Sequence, residues 1–474
     1  MDYDTASAVA CLTSVFLEVL EQDCQTLKSY EDEVIRLGHG VMAKAMAGAL
    51  ELFDDRLFKS YSPGLRVKEK RARSLATRMG DVSFVRRVCA DAYGNPLAPL
   101  DEALDLPHGS RISPGAVGFL INAGIEVSYA KAAHLLELGG GSSVSARSVM
   151  GALRKSGSKC SADDVAAAHE LYANGVLPEA QGVAEELCLE ADGIYIPLQD
   201  GGKAEVKACV AYAGKTPGKR SKRISAVRHG CVGKPGEFWP QAISVVGQRF
   251  DLSKIDVCHA GFDGEAWCKQ GGAYLPGAVK TDGNLDAFHV NRSIAACFPK
   301  EERDARYQVL DCVWYGRAQD AAELLEHYQS EGIAKGGEVV AQVAKYLRNN
   351  AEHIRANPPS LGTMEAENEH LYASRMKSVP CAWSVRGASD MARLRSRKFS
   401  GRELLYPARE ESLSDGKRKL RQERIDEHFN KKHPRPVEYV GHGYEYPHKA
   451  STVNFRADIR YHAGLIADHK VREV

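Results

Sequence analysis

An aspartate that closes an apolar strand and is followed by glycine sits on a rigid scaffold while its side chain reaches a loop. Asp263 has that setting, because the apolar run Val257 to Ala260 leads into Gly261-Phe262-Asp263-Gly264. Asp192 stands in the strand-like stretch LCLEADGIYIPLQ, and Glu365 opens a helical stretch directly after Leu361-Gly362. Three such acids brought together can hold two divalent ions through hard oxygen ligands. Ions so held activate a water or a 3′-hydroxyl and steady the leaving oxygen of an in-line phosphoryl transfer. Asp286 and His289 follow, three residues apart. Each acid also has a plain structural use, since strand-end aspartates close turns or cap helices and first-turn acids meet the helix dipole. Asp286 and His289 read equally as a helix cap and a buried, satisfied histidine. Asp256 competes with Asp263, and Glu367 with Glu365.

The scaffold for these residues has room. At 474 residues the chain is long enough for about three domains of ~150 residues, each with a buried core. Lys and Arg total 63 and Asp and Glu 62, so net charge names no partner and only local distribution is informative. Twelve Cys without a C-x-x-C pair or regular spacing argue against a zinc ribbon or disulfide framework and suit a reducing compartment. The N-terminus shows no basic leader, and no run reaches the ~18 apolar residues of a membrane span. The expected location is the cytoplasm.

Residues 1–60 read as an N-terminal helical region, with helical spacing from Ala8 to Leu20 and again from Tyr30 to Phe58. Residues 61–175 read as a DNA-binding region. Its first part, Arg66 to Arg87, is basic and reads as a solvated face sooner than as a nucleic-acid site; Val82 to Val85 lead to a hairpin with its turn near Gly94. Three short helices are expected at Pro114–Ala123, Tyr129–Leu138 and Val144–Lys155. The last two are joined by Gly139-Gly140-Gly141-Ser142-Ser143, and Arg147, Arg154 and Lys155 lie on the third, the outline of a helix-turn-helix. A connecting helix over Ser161–Gly175 follows. Glu186 to Ala213 reads as two antiparallel strands across Gly201-Gly202. The acid-free basic stretch 214–229, with Lys219, Arg220, Lys222 and Arg223, reads as a solvated loop or a grip on a phosphate backbone. A further strand is expected at Ala242–Val246 and a helix near Asp251. Residues 292–358 read as a helical insertion with buried positions including Leu310, Trp314, Leu325, Val343 and Leu347. Arg393 and Arg395 follow the acidic helix as further DNA contacts, and Trp383 reads as a core plug or a base-stacking ring. Residues 401–474 read as a basic helix, Ser414 to Phe429, with an irregular tail.

An acid on a first strand, a second after a later strand, and a third on a helix beyond a helical insert follow the order of a ribonuclease-H-like core. The expected fold is therefore α/β: a ribonuclease-H-like catalytic core over 185–291 and 359–400, a mixed sheet flanked by helices. It carries an all-helical insertion and is preceded by the helix-turn-helix-type region. From Thr77 to Arg397 the chain resembles the bacterial insertion-sequence transposases of the ISLre type, a DDE group allied to the Mutator-like transposases. The resemblance lies in six ordered blocks: TRMGDVSFVRR, EADGIYIPLQ with KAEVKACVAYAG, GFDGEAW, LDAFHVNRSI, LGTMEAENEHLYASRMKS and CAWSVRGASDMARLRSRK. It implies that Asp192, Asp263 and Glu365 are catalytic metal ligands for Mg2+, with Mn2+ as a substitute. Asp286 and His289 match a [Cys or Asp]-x-x-His element that orders the active site. It further implies double-stranded DNA partners, the terminal inverted repeats of an element and a target, and a homodimer or larger assembly on DNA. A DNA-binding protein that has given up chemistry, or a nuclease on the same core, remains open. A glycosidase ranks well behind, for want of aromatics near the acids.

Overall fold

The computed structural model describes residues 5–22, 26–61, 65–90, 94–218, 221–356, 361–377 and 381–406. Lys219, Arg220 and the charged helix expected at Ser414–Phe429 lie outside the described residues. The described residues divide into two compact units, those within 5–124 with Tyr129–Val149, and Ile125–Ser128 with Met150–Tyr406. No described helix is long and apolar enough to cross a membrane.

The first unit opens with α1 (Thr5–Gln22) and α2 (Leu27–Tyr61). Strands β1 (Arg66–Thr77), β2 (Gly80–Ala90) and β3 (Pro96–Leu97) form one antiparallel sheet in that order. The β2–β3 return spans Gly94, as expected, but the main hairpin turns earlier, at Arg78-Met79. The basic run forms a strand pair whose outer cations Arg66, Lys68, Lys70 and Arg71 are exposed, as a solvated face requires, while part of its charge is internal. Arg73 and Arg86 both pair with Asp101 at 2.7 Å, and Arg87 reaches Asp54 and Asp55 at 2.6 Å. Beyond the short β3, helix α2 supplies acceptors to β2: Glu51 accepts from the Val85 amide at 2.8 Å and Asp54 from that of Arg87. Strand amides that no neighbouring strand pairs take such partners. The core of this unit gathers Leu75, Val82 and Phe84 with Ala43, Leu100 and Leu106.

Next come α3 (Pro99–Ala103), α4 (Pro114–Glu126), α5 (Tyr129–Gly140) and α6 (Ala146–Tyr172). Two of the three short helices are as expected. The third merges with the connecting helix into the 27 residues of α6, capped by Ser145, whose hydroxyl accepts from the Ser148 amide. Gly157 does not break it, because a helix tolerates one glycine where a neighbour comes close. A Cβ there would fall 2.5 Å from Cβ of Asp390.

The second unit is built on β4 (Glu186–Pro197), β5 (Lys203–Tyr212), β6 (Val227–Cys231), β7 (Val257–Phe262) and β8 (Lys280–Leu285). Their spatial order is β6-β5-β4-β7-β8, with β4 in the middle. The first three run as an antiparallel meander; β7 and β8 add in parallel. Helices flank this mixed sheet. The strand expected at Ala242–Val246 is instead part of α7 (Pro235–Gly247), in which Phe238, Trp239 and Gln241 to Gly247 are all buried. A short run apolar on every side carries no period to tell helix from strand. The helix expected near Asp251 is a single 3-10 turn, Leu252–Lys254.

After β8 come α8 (Ala287–Ala296), α9 (Arg303–Trp314), α10 (Ala318–Ser330) and α11 (Glu338–Asn349), so the stretch expected as an insertion is helical. Its inward positions include Leu310, Leu325, Val343 and Leu347, but Trp314 is 48% exposed. The acidic helix starts as α12 (Met364–Glu367), widens into a π turn (Asn368–Ala373) and ends as α13 (Ser374–Met376). Then α14 (Val385–Phe399) closes the unit. Trp383 is buried, its ring nitrogen donating to the Met376 carbonyl at 3.1 Å, which makes it the core plug.

Candidate active site

The parallel ladder fixes which side chains meet. Glu190 pairs with Gly261 and Gly261 with Asn284 across β4, β7 and β8. Paired residues share a face of the sheet, and the face repeats every second residue. One pleat further on, at the carboxyl ends of β7 and β8, stand Asp192, Asp263 and Asp286, where open α/β sheets place their ligands. Acids and neighbours line a cavity of about 240 Å³ that includes Glu190, Asp192, Asp263, Asn284, Asp286 and His289.

Asp192 is 7% exposed and both its oxygens are engaged. The Gly193 amide donates to Oδ1 at 2.7 Å and Asn368 Nδ2 to Oδ2 at 2.8 Å. Asn368 opens the π turn, and the extra residue of such a turn re-aims the side chains around it. Burial first, and then the Asp263 carboxylate, push the Asp192 carboxyl up to about 6. Asp263 accepts from the Glu265 amide at 2.9 Å, an Asx turn through Gly264 at φ 104°. Helix α11 anchors that turn, because its Tyr346 donates to the Asp263 carbonyl at 2.7 Å and a Cβ at Gly264 would lie 2.8 Å from the Tyr346 ring.

Asp286 caps α8 by accepting from the Phe288 amide at 2.9 Å, and burial raises its carboxyl above the usual range. Its other oxygen lies 3.9 Å from Nε2 of the partly exposed His289. Glu365 is exposed in the first turn of α12. Ligand atoms of Asp192, His289 and Glu365 all lie within 4.8 Å of one another. Two carboxylates and an imidazole at that spacing fit a divalent cation, with Asp263 in the same cavity. His289, expected in a supporting place, thus stands at ligand spacing.

The two competitors have other settings. Glu367 is buried and bound by Arg228 at 2.7 and 3.0 Å and by Arg223. Asp256 precedes β7, roughly 20 Å along the strand from Asp263 at 3.3 Å per residue. Glu190 and Asn368 were not anticipated from sequence. For Glu190 the one local signal is its charge inside the apolar run LCLEADG, which demands a buried partner.

Of the expected DNA-binding residues, Arg147, Arg154, Lys155 and Lys222 are exposed, and Arg223 is held by Glu367. Arg393 and Arg395 need correction, for they are 5% and 2% exposed. Arg393 pairs with the buried Asp164 at 2.9 Å; Arg395 donates to the carbonyls of Leu371, Ile125 and His370. Guanidinium groups so committed are interior crosslinks.

The sequence profile described as Uncharacterised protein family (UPF0236) matches residues 20–410. The chain belongs to that family. Among its relatives, a UPF0236 protein of Caldanaerobacter subterraneus subsp. tengcongensis, whose name joins eleven locus designations, is 24% identical over 375 residues. The match covers 76% of this chain and 75% of the relative. The UPF0236 protein in the vanSb 3′ region of Streptococcus gallolyticus is 25% identical over 390 residues, covering 79% of this chain and 83% of that one.

Proposed function

We propose that this UPF0236 chain is a DDE transposase of the ISLre type, cutting and joining DNA at the ends of its own element. The observation that carries the reading is the meeting of Asp192, His289 and Glu365 within 4.8 Å, with Asp263 and Asp286 in the same cavity. These side chains come from a central strand, the helix after β8 and a helix beyond a long insertion. We read the order β6-β5-β4-β7-β8, acids at its carboxyl ends, as a ribonuclease-H-like core. The relative whose single name joins eleven locus designations is in keeping with an element that multiplies in its genome.

In this reading Asp192, Glu365 and His289 hold a divalent cation, Mg2+ or Mn2+, with Asp263 beside them. A bound cation supplies positive charge that acidifies a water or 3′-hydroxyl and neutralises the phosphate under attack. The protein's own part is positional. Gly193 and Asn368 aim the two oxygens of Asp192, Tyr346 fixes the Asp263 turn, and Asp286 sets the start of the helix that carries His289. The exposed cations Arg147, Arg154 and Lys155 on α6, after the glycine-bearing link from α5, are the proposed grip on element ends, in the manner of a helix-turn-helix. One site acting on two ends calls for a dimer or larger assembly on DNA.

The test is cleavage and strand joining on a labelled duplex bearing an element end, with Mg2+ or Mn2+, using wild type, Asp192→Ala and Glu365→Ala. Metal-dependent cutting and joining, lost in both variants with end binding retained, is expected. Cutting that survives in the variants sinks the assignment. Cutting without joining makes the protein a nuclease on the same core.

A further inference from the structure

Glu190 lies in the same cavity as the acids, yet its setting is different. It stands two residues before Asp192 on β4, on the same face and one pleat lower, and is 2% exposed. A carboxylate buried that deeply needs hydrogen bonds to persist. It has four. The hydroxyls of Tyr212 and Thr363 donate to Oε1 at 2.5 and 2.7 Å, and the amides of Gly362 and Thr363 donate to Oε2 at 2.8 and 2.7 Å. A carboxylate offers about four lone-pair positions. All are taken, so Glu190 has nothing left to offer a cation.

Three of the four donors come from two consecutive residues, Gly362 and Thr363, and Glu365 follows two positions later. Gly362 at φ 88°, a conformation that favours glycine, lets both amides point at one oxygen. On the sheet side, Gly261 leaves the gap: a Cβ there would lie 3.0 Å from Cγ of Glu190 and 3.2 Å from a methyl of Leu361. Helix α12 has no side-chain cap of its own.

We propose that Glu190 is a positioning residue, a clasp between β4 and the segment 361–363 that sets where Glu365 meets Asp192 and His289. This role rests on the reading of those three as a cation site. Glu190→Gln keeps the shape but turns one oxygen into an NH2 group facing donors. Thr363→Val keeps the shape and removes one donor.

The experiment measures Mn2+ binding to the full-length, DNA-free protein by paramagnetic resonance of free Mn2+, for wild type, Glu190→Gln, Thr363→Val and Asp192→Asn. Unfolding midpoints and hydrogen exchange across residues 361–367 are read alongside. The expected result is binding by wild type and loss in Asp192→Asn. Glu190→Gln, folded, should bind about tenfold more weakly, the scale of one disrupted buried hydrogen-bond set, with faster exchange confined to 361–367. Thr363→Val should show a smaller shift in the same direction, and carries the test alone if Glu190→Gln does not fold. Wild-type affinity in the folded clasp variants, with Asp192→Asn still impaired, overturns the clasp and leaves the cation site standing. No binding by wild type, or Asp192→Asn binding like wild type, overturns the cation site and the clasp with it.

Discussion

Asp192 must be ionised to hold a cation, and its surroundings oppose that. Burial and the neighbouring Asp263 carboxylate hold its carboxyl up at about 6, well above the ordinary aspartate range. Below that value a proton competes with the cation. Apparent Mn2+ affinity of the DNA-free protein is therefore expected to be highest at alkaline pH and to fall by at least about tenfold per pH unit below about pH 6, more steeply where the His289 imidazole must also shed a proton to bind. In Asp263→Asn the break should move to lower pH, because one opposing charge is gone; calorimetric titration from pH 5 to 8 checks both. An unshifted break in that variant would remove Asp263 as a cause. The donor set makes a second prediction. An imidazole nitrogen suits Mn2+ better than Mg2+, which prefers an all-oxygen octahedron. His289→Asp should raise the ratio of Mg2+-supported to Mn2+-supported cutting, and an unchanged ratio would exclude His289 as a ligand.

Helix α14 shows how an element can mislead. Arg393, Arg395 and Arg397 alternate along it in a stretch rich in charge, which reads as a surface facing DNA, yet all three are buried. Their partners, Asp163, Asp164 and the Ile125 carbonyl, lie more than 200 residues earlier, so no local pattern reveals them. Arg393→Met is accordingly expected to lower stability by about 3 kcal/mol, the usual cost of breaking a buried pair from one side. DNA affinity of the molecules that remain folded should not change. Asp390 on the same helix is pushed up to about 6 by burial, against the nearby Arg386 and Arg393. A folded value above the unfolded one means its contribution is present below about pH 4 and lost as pH rises through about 6. Asp390→Asn should therefore gain on the order of 2 kcal/mol relative to wild type at pH 8 and nothing near pH 4, as read from chemical unfolding at the two pH values. The strands β4, β5 and β7 were legible because their apolar runs are bounded by turn residues. Asp263 was legible because it closes β7, Asp192 because it interrupts the apolar run of β4, and Glu365 because it opens a helix directly after Leu361-Gly362. Strand β8, reading KTDGNL, was not, since its residues have little strand preference and only its neighbour β7 makes it a strand. Glu190 and Asn368 escaped for the same reason as the arginines: their meaning lies in residues 172 to 176 positions away.

At the scale of the whole molecule, every side chain of the proposed cation site lies in the second compact unit, and none of the exposed cations of α6 is among the residues that line its cavity. Binding of DNA and binding of cation should then be separable. Each phosphate contact by Lys or Arg releases counterions, so the slope of log affinity against log salt counts contacts at about 0.9 per phosphate. Replacing Arg147, Arg154 and Lys155 together by Ala should weaken duplex binding across sequences and flatten that slope by up to about 3. Mn2+ affinity of the same protein without DNA should stay at the wild-type value. Asp192→Ala should do the reverse, losing Mn2+ while keeping affinity and slope, since a cavity lined by carboxylates offers a phosphate no attraction before a cation is bound. Fluorescence anisotropy of a labelled duplex over a salt series reads the first quantity, and Mn2+ titration the second. If the triple variant keeps the wild-type slope, the phosphate grip moves off α6, and the exposed Lys70 on β1 and Lys222 after the second hairpin become the residues to replace next.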